Sequence, residues 1–175
     1  MRYLKVFAQD RTGSGRADTV LLQFFESLPL HQDRLLHHAV AYDYPVDGKI
    51  DYSRGDVNND GEENCLDQLL LDQFATAYLK LNWFNSGTTS IRHLKIHAEC
   101  FYDDGVPNVV RLDFHEYVNT YSKNTLVYHA AAYDADGNGV FETVTDSDMD
   151  GNGVVDKVDK ALIRCLCTSY LAFNW

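Results

Sequence analysis

Arg2-Tyr-Leu-Lys-Val-Phe-Ala8 returns as Arg92-His-Leu-Lys-Ile-His-Ala98. The stretch LLHHAVAYD ending at Asp43 returns as LVYHAAAYD ending at Asp134, and YLKLNW ending at Trp83 returns as YLAFNW ending at Trp175. Three matches in one order, at offsets of 90, 91 and 92 residues, are the trace of a tandem duplication with single-residue insertions. This assigns residues 1–84 to a first repeat, the small and polar stretch 85–91 to a linker, and residues 92–175 to a second repeat. Each copy is small for independent stability, so the halves are expected to pack on each other about a pseudo-twofold axis.

Within a copy, strands come first and a helix last. Tyr3 to Gln9 and Asp18 to Phe25 are rich in Val, Leu and Phe and flank a Gly-containing turn, which signals a hairpin; Leu35 to Asp43 and Lys49 to Tyr52 make a second pair. After Asp67 the period changes. Leu66, Leu69, Leu70, Phe74, Ala77, Tyr78 and Leu81 recur at three and four, which predicts one helix with an apolar face. The second copy repeats this with strands near His93 to Cys100, Asn108 to His115, Leu126 to Asp134 and Val140 to Thr143. Its helix is expected from Lys157 to Leu171, with Val158, Leu162, Ile163, Cys165 and Leu166 inward.

Composition bounds the function. Of the 175 residues 45% are hydrophobic, enough for a core, and 26 acidic against 15 basic side chains leave a formal net charge of −11. Such a chain is a poor partner for nucleic-acid phosphates or an anionic membrane, and a natural one for cations. No apolar run is long enough to insert in a membrane, and the first ten residues lack a signal-peptide core. Location in the cytoplasm and export by a route without a leader both fit. Cys65, Cys100, Cys165 and Cys167 lack the spacing of a disulfide scaffold or a zinc clamp and are expected to be mostly reduced and buried.

The acidic residues are not scattered. Asp56, Asn58, Asp60, Glu62, Asn64 and Asp67 stand at positions 1, 3, 5, 7, 9 and 12 of one loop with Gly61 at position 6, and Asp148, Asp150, Asn152, Val154, Asp156 and Asp159 repeat this around Gly153. Calcium takes six to eight oxygens at short range, so a loop that wraps it must offer an oxygen at alternate positions and turn sharply at the sixth. Glu62 and Val154 would contribute backbone carbonyls. A partial copy of the pattern lies at Asp134, Asp136, Asn138, Val140 (by its carbonyl) and Glu142, with Thr145 at position 12 and Asp146 just past it. Asp43 to Asp51, Asp10 to Asp18 and Cys100 to Asn108 are poorer, and Asp, Asn and Gly there are what hairpin turns use.

The loops 56–67 and 148–159 with their flanks resemble the loop–helix segment of dockerin domains, a variant of the EF-hand. That resemblance implies calcium ligation by the aspartates and asparagines at these positions, an Asp at position 12, and no entering helix. The chain departs from dockerins in placing its loops 92 residues apart and in having Glu63 at position 8 of the first, where Val155 of the second fits.

The expected fold is α+β: a tandem duplication, each half an antiparallel sheet of three or four strands followed by an EF-hand-like calcium loop and one C-terminal helix. Two calcium ions are the expected cofactors, with a third at the partial loop. No Ser/His/Asp order, nucleophile elbow, P-loop or HExxH is present. The expected function is therefore a non-catalytic module whose fold and partner binding depend on calcium, with no nucleic acid among its partners and a protein partner left open. The alternatives are a calcium-stabilised accessory domain of an enzyme and a cytoplasmic calcium sensor. His97 and His115 stand where the first copy has Phe7 and Phe25, which marks either a transition-metal or pH-sensitive site or a difference in burial between copies. His38 and His129 are equivalent across the copies, as expected of a structural hydrogen bond.

Overall fold

The computed structural model describes residues 1–85, 91–100, 106–117 and 125–174; most of the linker, the Tyr102–Asp104–Gly105 turn and Trp175 lie outside them. Eight strands form one antiparallel sheet: β1 (Arg2–Gln9), β2 (Thr19–Glu26), β3 (Arg34–Tyr42), β4 (Tyr52–Arg54), β5 (Ile91–Glu99), β6 (Val109–Tyr117), β7 (Thr125–Tyr133) and β8 (Thr143–Val144). Their order is β4-β3-β2-β1-β5-β6-β7-β8. Two helices, α1 (Cys65–Tyr78) and α2 (Lys157–Phe173), follow β4 and β8, and a 3-10 turn over Asn82–Asn85 follows α1. No described helix is long and apolar enough to cross a membrane.

The expectation of two halves, each with its own sheet, loop and helix, is overturned. β1 and β5 pair antiparallel, with Leu4 opposite Ile96, Lys5 opposite Lys95 and Val6 opposite Leu94. The first strand of each copy would otherwise present a row of unpaired N–H and C=O groups at the edge of a four-stranded sheet. Pairing the two edges satisfies both rows and joins the strands into one sheet. The equivalent lysines Lys5 and Lys95 face each other at that join, and strand order runs outward from it as the same series on either side.

The strands alternate as a sheet with one packed face requires. Leu4, Val6, Val20, Leu22, Phe24, Leu94, Ile96, Val110, Leu112 and Phe114 turn to the core, where they meet Leu71, Phe74 and Tyr78 of α1 and Ile163, Leu166 and Phe173 of α2. That core runs through both copies. Phe74 of α1 and Phe173 of α2 have ring centroids 5.5 Å apart, and Trp83 stands edge-on to Phe114 of β6 at 5.5 Å. The buried Tyr78 hydroxyl donates to the Val6 carbonyl at 3.0 Å.

Several local expectations are corrected. Leu66, Leu69 and Val158 point outward, at 49%, 64% and 52% exposure, because the buried stripe runs instead through Asp67, Leu71, Phe74 and Tyr78 on α1 and through Asp159, Leu162, Ile163 and Leu166 on α2. Of the cysteines, all free, Cys167 alone is buried, while Cys65 and Cys100 are exposed and Cys165 is half-buried. The strands β4 and β8 start later than the periodicity predicts, at Tyr52 and Thr143. The preceding residues belong to turns: Asp51 Oδ2 accepts the Tyr44 N–H at 2.8 Å and Glu142 Oε2 accepts the Ala135 N–H at 2.9 Å, so the chain is committed to the turn up to those carboxylates.

Candidate metal centres

Each of the two complete loops runs from the end of a short strand into the start of a helix, and the same few hydrogen bonds set its shape. In the first, Asp56 accepts the N–H of Asp60 at Oδ1 (3.1 Å) and of Gly61 at Oδ2 (2.9 Å), which pulls the loop into a ring. Gly61 sits at φ +93°, in the left-handed region that a side chain disfavours. Asp67, fully buried, closes the ring from the helix: its Oδ1 accepts Val57 N–H at 3.0 Å and Asn58 N–H at 3.2 Å, and its Oδ2 accepts Asn64 N–H at 3.0 Å. Val57, also fully buried, anchors the loop in the core between Asp56 and Asn58.

The second loop repeats the frame. Asp148 accepts from Asn152 at 3.1 Å and Gly153 at 2.8 Å, Gly153 has φ +86°, and the buried Asp159 accepts from Met149 at 2.6 Å, Asp150 at 3.2 Å and Asp156 at 2.8 Å. Met149 takes the place of Val57 in the core. Burial pushes the Asp159 carboxyl up, but the three N–H donors outweigh it and hold the group below the usual carboxylate range.

The position-9 residues have a second role. Asn64 and Asp156 are the N-caps of α1 and α2, accepting Leu66 N–H at 2.8 Å and Val158 N–H at 2.6 Å, and each forms a capping box with the position-12 aspartate. The cap uses one lone pair of Asn64 Oδ1 and one of Asp156 Oδ1, so both residues keep oxygen capacity beside the loop.

What remains at each centre is a cluster of carboxylates. Asp56, Asp60 and Asp67 bring one oxygen each to within 4.8 Å of one another, as do Asp148, Asp150 and Asp159. Each of these oxygens has two lone pairs, and the backbone N–H groups occupy only part of that capacity. The donor set is hard, anionic and mixed with amide and backbone oxygens, which fits calcium and does not fit zinc or copper.

A third cluster, Asp134, Asp136 and Glu142, meets the same 4.8 Å condition. Asp134, 3% exposed, accepts Asn138 N–H at 3.1 Å and Gly139 N–H at 2.7 Å, the same frame that Asp56 makes. Its closing carboxylate differs from the expectation. Glu142 takes the N–H of Ala135, as Asp67 takes that of Val57, so this loop closes at its ninth position instead of its twelfth. Asp146, expected to help, lies outside the cluster and forms an ion pair with Lys160 at 2.8 Å. The turns at Asp10 and Asp43 share the frame, closed by Asp18 and Asp51, but are not among the carboxylate clusters. An acidic residue eight places after the first Asp, common to all three short loops, was the available signal for Glu142.

His115 faces His93 across β5 and β6 with rings stacked at 5.0 Å, while His97 lies 3.4 Å from Glu99 and 3.8 Å from Asp113. Among the described residues, no three-residue cluster that could hold a metal includes them. The chain matches no known family model, no curated protein and no solved structure.

Proposed function

We propose that this protein is a non-catalytic calcium-binding module whose folded state calcium stabilises. Loops 56–67 and 148–159 take one ion each, and the loop from Asp134 to Glu142 takes a third. The observation that carries this reading is the convergence, in each of three loops, of three acidic side chains to within 4.8 Å. Like charges that close repel each other unless a cation lies between them.

Both closing aspartates sit in the first turn of a helix that covers the sheet. Metal affinity for the loop is thereby linked to the docking of the helix, and so to the core. A ligand at a hundred times its Kd stabilises a native state by about 2.7 kcal/mol per site. Melting the protein in excess calcium and in excess EDTA tests the reading: a large drop in Tm on chelation is expected, and superimposable curves would refute it.

A further inference from the structure

The end of the first repeat touches the loop of the second. Asn82 opens the 3-10 turn that follows α1, and its side-chain Nδ2 donates to the carbonyl of Asp150, the third residue of loop two (148–159), at 2.5 Å. The Asp150 backbone is thereby held on both sides, because its N–H donates to Asp159 Oδ1 at 3.2 Å. Asn82 also lies over the next residue: a Cβ built on Gly151 would come within 3.8 Å of the Asn82 Cβ.

Asn82 is itself fixed by its neighbours in the chain. Leu81 is 1% exposed, and Trp83 stands edge-on to Phe114 and Tyr128 of the second repeat, with ring centres 5.5 Å and 5.9 Å away. Arg92 of β5 lies over the Trp83 ring at 4.6 Å, and its Nη1 donates to the Trp83 carbonyl at 2.5 Å. With both neighbours packed, the Asn82 backbone has little freedom left to lose, which lets a single exposed hydrogen bond preorganise the loop it touches.

Loop one (56–67) has no counterpart. Its matching carbonyl belongs to Asn58, and among the described residues no side chain donates to it. Asn174 stands 92 residues after Asn82, but it ends α2 in left-handed backbone at φ +50°, and its backbone N–H donates to Leu171. The duplication carries the same residue twice, and the first copy braces the loop of the other repeat.

We propose that Asn82 is a positioning residue for calcium in loop two, so that the affinity of the second repeat's loop is set in part by the first repeat. The inference rests on the calcium reading given above. Held from both sides, Asp150 presents its carboxylate beside those of Asp148 and Asp159 before the ion arrives, and less ordering remains to be done on binding. Linkage is reciprocal, so calcium in loop two in turn tightens the Asn82–Trp83 turn against the sheet.

The test is an NMR titration of the full-length, calcium-loaded chain through chelator-buffered calcium. The amides of Gly61 and Gly153 report loops one and two separately, and the Trp83 indole reports the turn. In the wild type the Trp83 signal should shift with the Gly153 midpoint and not with that of Gly61. Asn82→Leu, which keeps bulk and removes the donor, should raise the loop-two midpoint about threefold or more while the loop-one midpoint moves by less than about twofold. Asn82→Ala should do the same, and carries the test if the leucine variant does not fold. Asn174→Gly, which suits left-handed backbone, should move neither midpoint by as much as about twofold. An unchanged loop-two midpoint in the Asn82 variants, an equal rise at both loops, or a Trp83 signal that follows Gly61 would overturn the proposal. If neither glycine signal responds to calcium in the wild type, the calcium reading itself fails and this inference falls with it.

Discussion

The backbone N–H of Ala135 donates to Glu142 Oε2 at 2.9 Å, and this bond closes the third acidic loop three residues earlier than the two complete ones. Asp146, the residue that spacing favoured as the closing ligand, is paired with Lys160. Removing Glu142 should therefore abolish the third ion, whereas Asp146→Ala should leave calcium stoichiometry unchanged and shift stability by less than about 1 kcal/mol, as expected of an exposed ion pair. Equilibrium dialysis of the two variants against calcium separates these outcomes. Loss of an ion in Asp146→Ala with retention in Glu142→Ala would reverse the assignment.

Loops one and two each converge three carboxylates, so charge at the ion no longer ranks them. The surroundings still do. Asp156 caps α2 where neutral Asn64 caps α1, and the acidic Asp134–Glu142 loop stands just before loop two in the chain, so loop two has the more negative sequence surroundings. Asp148→Ala should accordingly cost more calcium affinity and more thermal stability than Asp56→Ala, by a factor of several in Kd. A paired calorimetric titration that gave the opposite order would show that loop geometry outweighs charge.

The two complete loops were legible because their chemistry is written at fixed spacing: Asp56 with Asp67 and Asp148 with Asp159 fill the first and twelfth places of a known pattern, and the structure brings each pair together. Glu142 was missed as a closing group because a twelve-residue template looks past position nine. The duplication was equally plain in RYLKVFA and RHLKIHA, yet the single sheet was not. Hydrophobic alternation says which face of a strand is buried; it carries no information on which edge meets which neighbour. The pairing of Lys5 with Lys95 is a main-chain event between residues far apart in sequence. Asn64 and Asp156 show a further limit, since their second role as helix caps is not visible in the loop spacing.

His93 makes stability depend on pH in the acid range. Burial holds its folded-state value at about 3 against an ordinary 6.5, so between those values the unfolded chain binds a proton that the native state refuses. Stability should be intact above about pH 6.5 and fall as the pH drops toward 3, by at most about 1.4 kcal/mol per pH unit for one proton. Urea titrations of the wild type and of His93→Phe at fixed calcium concentration check this. The variant should show a shallower fall between about pH 6 and pH 4.5; identical slopes would remove His93 from the account.

Gly55 joins β4 to the first loop with φ +134°, and a Cβ built there would lie 2.5 Å from the Ala39 Cβ and 2.8 Å from the Ala39 Cα. Neither neighbour can swing aside. Gly55→Ala should destabilise the fold by roughly 2 kcal/mol or more through overpacking and backbone strain, and should weaken calcium binding at loop one more than at loop two. Thermal melting with and without calcium reads both effects; a neutral substitution would mean that β3 and β4 pack less closely than described.

The central claim, that three acidic loops are calcium sites, is tested most directly by calorimetric titration of chelator-stripped protein with calcium and then with magnesium. The account predicts saturable calcium binding at three sites, two tighter than the third, with magnesium much weaker because it demands a small octahedral cage and surrenders water reluctantly. Absence of binding heat, together with an unchanged fold on chelation, would contradict it.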